Sequence, residues 1–325
     1  MANTYDPTAV SQGAVVVGVN GGLASCRLAL VLAAHEARMR NTAIRLVHGC
    51  RPLSTLTERQ PAIPLVARER QARRQLRDAA EALRPLLDPG TAIEFRIDPR
   101  TGIDTLLDQS DTAELLVLQR RDLTRLGRIT AGSTSRAVAA RARCPVAVTR
   151  TGQGSSQGRG AVLVGIDDLP SAMRLLPLAF AEASARRARL TPIRMSTIGD
   201  SGGGPLPRTT RATAAALELA ASLSNTLDRL AAQFPDVVVD DLTLAEDAVA
   251  VLREVSASAE LLVIGPFAVH ERDRLTLGSR ARQLIDTAHC PVLVAALART
   301  GTGNGLTPDA AHRDLGQRSA ASSPP

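Results

Sequence analysis

The chain has 325 residues, 44% of them hydrophobic and 22% charged, and its net charge of +7 is carried by arginine alone because the sequence contains no lysine. That length suffices for two domains of ordinary size, while no run nears the roughly 18 apolar residues needed to cross a bilayer. An aromatic content of 2% argues against a base-stacking platform, so neither nucleic acid nor membrane is expected as a partner despite the positive charge.

In chain order, Ala14–Val19 is a continuous apolar run, the pattern of a strand buried on both faces. Residues from Ser25 to about Arg40 follow with helical spacing, Leu28, Ala29 and Leu32 making the apolar stripe. The pattern then predicts a strand at Ile44–Val47, a helix over Val66–Leu87, a strand at Ala92–Ile97 and a short helix from about Gly102 to Ser110. A strand at Leu115–Leu118, a helix over Ser133–Arg143 and a last strand at Pro145–Val148 complete this half. The second half predicts strands at Val162–Ile166, Leu190–Arg194, Val237–Asp241, Leu261–Ile264 and Val292–Ala295. Its helices are predicted near Ser171–Arg187, Thr210–Gln233, Ala245–Ser256 and Ser279–Thr287. Strands alternating with helices favour parallel pairing through right-handed crossovers.

The halves are copies. AVVVGVN (Ala14–Asn20) returns as AVLVGID (Ala161–Asp167), AELLVLQ (Ala113–Gln119) as AELLVIG (Ala259–Gly265), and GSTSRAVAARARCPVAV (Gly132–Val148) as GSRARQLIDTAHCPVLV (Gly278–Val294). The offsets, 147, 146 and 146 residues, stay in step as chance matches would not. The organisation expected is an N-terminal tail at 1–13, one domain at 14–150, a Gly/Ser/Gln-rich linker at 151–160, a second domain at 161–298 and a disordered polar tail at 299–325. MANTYDPTAVSQG lacks a basic region followed by an apolar core, so a cytoplasmic location is expected. Cys26, Cys50, Cys144 and Cys290 form no CxxC pair and no metal-ligand spacing, so they read as reduced, buried thiols, and no metal is expected.

In a doubly wound parallel sheet, ligands bind beyond the carboxyl ends of the strands, where strand order reverses. Those ends carry Asn20 and Gln119-Arg120-Arg121-Asp122 in the first copy, and Asp167 and Gly265-Pro266-Phe267-Ala268 in the second. The next helix opens on Gly132-Ser133 and on Gly278-Ser279, where free N–H groups and the positive end of the helix dipole suit an anion. An isolated pair of this kind is more often an ordinary helix start. His48 and Arg194 end equivalent strands, and a lone crevice histidine is more often a packing residue than a base. His289 beside Cys290 is replaced by Arg143 in the first copy, which argues against a Cys/His dyad, and no GxSxG, HExxH or Walker A pattern occurs. No catalytic residue is assigned.

Taken together, VVVGVN and VLVGID, the strand-four run, the GS-opened helix and the closing Cys-Pro-Val resemble the universal stress protein domain, over nearly all of 14–150 and 161–298. The resemblance implies an α/β fold of two Rossmann-like (adenine nucleotide alpha hydrolase-like) domains, each a five-stranded parallel sheet flanked by helices. It implies a pseudo-symmetric pairing of the domains through their last strands, and, as members are commonly dimeric, a homodimer as a further expectation. A subset of the family binds ATP through an Asp ending strand one and a phosphate loop of pattern G-x2-G-x9-G-[ST]. In the second copy Asp167, Gly265, Gly278 and Ser279 match, with Ala268 at the second Gly, Pro266 lacking an N–H, and Arg280 placed to help neutralise phosphate. The first copy keeps Gly132 and Ser133 but puts Asn20, Gln119 and Asp122 at the other positions. Asp122 alone would place a like charge near phosphate, costing roughly 4 kcal/mol at about 4 Å and a surface-like dielectric. ATP, if bound, is therefore expected in the second domain and not the first. A nucleotide-free interaction module and, behind it, an ATP-hydrolysing enzyme on the same fold are the alternatives.

Overall fold

The computed structural model describes residues 13–51, 64–120, 134–151, 153, 160–195, 210–245, 247–266, 269–271 and 274–296. The tails at 1–12 and 297–325 and most of the 151–160 linker lie outside them. The first repeat contributes β1 (Val15–Gly18), α1 (Arg27–Arg40), β2 (Ile44–Arg51), α2 (Leu65–Leu83), β3 (Ile93–Thr101), α3 (Gly102–Gln109), β4 (Leu115–Arg120), α4 (Thr134–Ala139) and β5 (Val146–Arg150). The second contributes β6 (Ala161–Ile166), α5 (Leu169–Arg186), β7 (Arg189–Met195), α6 (Thr210–Gln233), β8 (Thr243–Ala245), α7 (Ala248–Val255) and β9 (Ala259–Ile264). It ends with β10 (Val269–Glu271), β11 (Arg274–Thr276), α8 (Ser279–Thr287) and β12 (Val292–Val294).

Ten strands form one sheet in the order β3-β2-β1-β4-β5-β12-β9-β6-β7-β8. Each half is a five-stranded parallel sheet, as expected. The halves join where β12 runs antiparallel to β5, Val292 opposite Val148 and Val294 opposite Val146. This pairing is the one anticipated, and it leaves neither last strand as an open edge. Alternation along each strand divides the core. Val15 and Val17 face a cluster with α1, α2, α5 and α6, whereas Val16, Leu116 and Leu118 face one with α3, α4, α7 and α8. Both clusters draw residues from both repeats, so the apolar layers run unbroken across the junction.

Several boundaries depart from the periodicity. Gly21 and Gly22 take φ of 83° and 84°, the left-handed region glycine tolerates. That turn and a 3-10 turn at Leu23–Ser25 delay the first helix to Arg27. Its buried face is Ala29, Leu30, Ala33, Ala34 and Ala37, with Leu28 and Leu32 only half-buried. The predicted strand at Val237–Asp241 is not formed as one. Val239 makes a single bridge to Leu190 and Val238 is exposed. The Asp240 carboxylate there takes side chains, Arg189 and, at 2.6 Å, Thr191 Oγ1. Continuous pairing begins only at β8, with Thr243 opposite Ile193. A further difference is the two-stranded antiparallel ribbon β10–β11, which lies inside the second copy's expected phosphate loop.

On one face of the junction the equivalent helices α1 and α5 meet through charge. Arg40 pairs with Glu36 of its own helix and with Glu182 of the other, and Arg186 pairs with Glu182 and Glu36. Glu36, Glu182 and Arg186 side chains are 2%, 5% and 2% exposed, so this closed ring of four ion pairs is largely withdrawn from water. On the other face Asp286 of α8 pairs with Arg136 of α4 and, at 3.1 Å, with Arg120 at the end of β4. Arg150 and Gln153 donate to carbonyls at and just beyond the end of α8, Arg150 Nε reaching Ala288 O at 3.2 Å and Gln153 Nε2 reaching Cys290 O at 2.6 Å.

Candidate functional site

The sheet order places the crevices where the topology reverses, between β1 and β4 and between β6 and β9. In the second repeat Asp167 follows β6 directly, half-buried, and Gly265 and Pro266 follow β9, both buried. Pro266, which cannot donate, accepts from the N–H of Gly278 at 3.2 Å and so draws the two ends of the loop together. Gly278 is the N-cap of α8, with φ −60° and ψ 160° and no side-chain cap. Any residue can adopt that backbone, so unusual angles are not why glycine serves there; what glycine supplies is a helix start with no Cβ over the first-turn N–H groups. Ser279 is exposed and Arg280 half-buried. Arg280 Nη1 lies 3.1 Å from Asp167 Oδ1, the side chains 24% and 17% exposed. Folding thus brings together Asp167 and the Gly278-Ser279-Arg280 helix start, residues 113 apart in sequence. Ala268 lies outside the described residues.

The first crevice is built differently. Asn20 is exposed beyond β1, and Gly132, Ser133 and Asp122 lie outside the described residues. Gln119 turns its amide onto the start of the first helix. Its Oε1 accepts from the N–H of Leu28 at 2.8 Å, and its Nε2 donates to Ala24 O at 3.2 Å. A glycine at this position could make neither bond. A small cavity of about 70 Å³ remains, lined among others by Asn20, Ser25, Gln119, Thr134 and Ser135. Gly49 closes one side, since a Cβ there would fall 2.5 Å from the backbone nitrogen of Gly102.

Sequence reasoning placed Gln119 at a glycine position of the loop pattern but did not see that it caps α1, nor that Thr134 stands where the second copy has Arg280. The constant offset of 146 could have found the second, since it pairs Thr134 with Arg280 directly. His48 Nδ1 sits 2.8 Å from Val19 O, which makes it the protonated nitrogen, and burial holds the ring's pKa below its ordinary value. The arrangement suits packing. Cys144 and Cys290 fill equivalent buried junctions, and burial pushes both thiols up to about 12. Among the described residues no three His, Cys, Asp or Glu side chains cluster as a metal site, and no helix is long and apolar enough to cross a membrane.

Comparison with known proteins agrees with this architecture. The model of the universal stress protein family matches twice, over residues 13–150 and 159–296. A universal stress protein of Mycobacterium tuberculosis is 30% identical over 296 residues, covering 87% of this chain and 97% of the relative. Another from Mycolicibacterium smegmatis is 29% identical over 287 residues, covering 86% and 96%. Among solved structures, a universal stress protein from Archaeoglobus fulgidus superposes with a TM-score of 0.62 at 16% identity, covering 88% of this chain and 97% of its own. A Pseudomonas aeruginosa protein described as a putative universal stress protein gives 0.55 at 17%, covering 88% and 93%. At such identities these likenesses concern the fold. The repeat, the paired five-stranded sheets and the double family match lead to one conclusion: the chain belongs to the universal stress protein family, as a member carrying two copies of the domain in tandem.

Proposed function

We propose that this protein is a non-catalytic, regulatory universal stress protein of the cytoplasm whose second repeat binds ATP or a related nucleotide. The reading rests chiefly on one observation: the carboxylate of Asp167 and the Gly278-Ser279 helix start converge on one crevice, joined through Arg280. In this reading Asp167 accepts hydrogen bonds from the adenosine part, Gly265 and Ser279 donate backbone N–H groups to phosphate, Gly278, whose own N–H goes to Pro266 O, lets phosphate approach the helix start without a side chain in the way, and Arg280 supplies positive charge. The first repeat serves as a scaffold. Gln119 turns its amide onto the start of α1 in that crevice, and Asn20 stands where the second repeat has Asp167.

Calorimetric titration with MgATP tests the reading, with one site per chain expected and Asp167→Ala abolishing it. No heat and no thermal shift at millimolar ATP would sink it in favour of a nucleotide-free interaction module. Sustained ATP turnover lost in Asp167→Ala would instead place the protein among enzymes.

A further inference from the structure

We propose that the outer face of α2 is a docking surface for an acidic helix of a partner protein. Helix α2 buries Ala72, Leu76, Ala79, Ala80 and Leu83 in the core. Toward solvent it presents Arg70, Arg73, Arg74 and Arg77, and the 3-10 turn that follows adds Arg84; all five are exposed. Among the described residues none of the five makes an ion pair. At 1.5 Å per residue this stripe runs for about 21 Å.

Such an arrangement works against the stability of the free chain. Arg70 and Arg74, and Arg73 and Arg77, stand four residues apart, so like charges face each other from turn to turn. The opposite charges at the same spacing, Asp78 for Arg74 and Glu81 for Arg77, form no ion pair among the described residues. The second repeat is the internal control. Buried Leu76 and Leu83 correspond to buried Leu223 and Leu230 of α6, 147 residues on. The same offset replaces the five arginines by Leu217, Ala220, Ala221, Ser224 and Ala231. The fold of the repeat therefore does not require a cationic face on this helix.

The spacing selects the occupant. Val66, Arg70, Arg73 and Arg77 follow one another at intervals of four, three and four residues, the seam along which a second helix packs. Val66, 66% exposed, and its neighbour Leu65, 47% exposed, give the seam an apolar end. Carboxylates along a facing helix would pair with the guanidinium forks and relieve their mutual repulsion. Glu69, Asp78 and Glu81 break the run of positive charge, which suits a helix of mixed charge and not the unbroken phosphate rail of nucleic acid. A lipid surface fits no better, because the apolar face of α2 is already buried in the core and cannot enter the acyl chains.

The test uses the full chain and a labelled helical peptide of about 21 residues, with Glu at heptad spacing on one face and Leu at one end. Fluorescence anisotropy at low salt should show binding that weakens as salt is raised. Arg70→Glu combined with Arg73→Glu and Arg77→Glu is expected to weaken it at least tenfold. A control with the same change in net charge, Arg174→Glu with Arg229→Glu and Arg253→Glu, all exposed, should stay within about twofold. Circular dichroism checks that both variants fold, and the three α2 substitutions made to Gln give the same comparison should the reversal unfold the chain. Equal losses in the two variants would show attraction to net charge alone and overturn the proposal, as would an intact chain that does not bind the peptide. Tighter binding of duplex DNA or of phosphatidylserine vesicles than of the peptide, lost with the same three arginines, would also overturn it by giving the face to another class of partner.

Discussion

Arg40 of the first repeat and Glu182 of the second pair across the junction, and the related pair, Arg186 with Glu36, repeats the contact at positions 146 residues on. The four side chains close a neutral ring between α1 and α5, on one face of the antiparallel seam between β5 and β12. Glu114 adds a further carboxylate 3.4 Å from Arg40 Nε. Charges this deeply withdrawn owe their stability to one another, since desolvation offsets much of their attraction.

Removing one member should therefore cost far more than removing all. Glu36→Ala is expected to destabilise the chain by about 3–5 kcal/mol by leaving two arginines short of a carboxylate, whereas replacing all four residues by apolar side chains of similar volume should be close to neutral. Urea unfolding of the two variants checks this, and equal losses would show that the ring acts by packing alone.

Gln119 should behave as a structural residue. Gln119→Ala removes bonds to Leu28 N and Ala24 O and is expected to cost about 1–2 kcal/mol, read as a lower unfolding midpoint. ATP stoichiometry should remain one per chain, because Asn20 still stands where the second repeat has Asp167.

Acid stability should report on Asp98. Its hydrogen bonds from Arg100, side chain and backbone, hold its pKa below the ordinary aspartate value. A depressed carboxylate adds stability that is complete above the unfolded pKa of about 4 and is lost as pH falls through the lower folded value. Asp98→Asn should thus lower stability at pH 7 by about 1 kcal/mol given that Arg100 is 46% exposed, and the difference from wild type should shrink as pH falls through the lowered folded value.

The thiols should be inert. All four cysteines are buried, and burial raises Cys26 to about 11 and Cys144 and Cys290 to about 12. The thiolate is the reactive form, so at pH 8 a disulfide reagent is expected to label less than one equivalent in minutes, and all four once urea unfolds the chain.

The strength of the internal repeat made the parallel sheets and the inequality of the two crevices legible before any coordinates. Apolar runs such as Val15–Val17 and Leu115–Val117 have the pattern of buried strands, and Asp167 against Asn20 is visible by alignment of the chain with itself. Periodicity misjudged Val237–Asp241, where three valines in a row look like a strand. There Val238 and Asp240 exchange backbone hydrogen bonds with Leu190 alone, as a single bridge, and the ladder proper begins only at Thr243.

Sequence by itself thus determined the two domains, the strand and helix alternation and the residues worth inspecting, because these depend on local patterns and on repetition. Tertiary structure alone decided which charges meet. Arg40 and Glu182 lie 142 residues apart, Arg186 and Glu36 150 apart, and Asp167 and Arg280 113 apart. No local pattern specifies such partners. They become neighbours when the antiparallel seam sets one repeat against the other, and when parallel strand order brings the end of β6 beside the helix that follows β9.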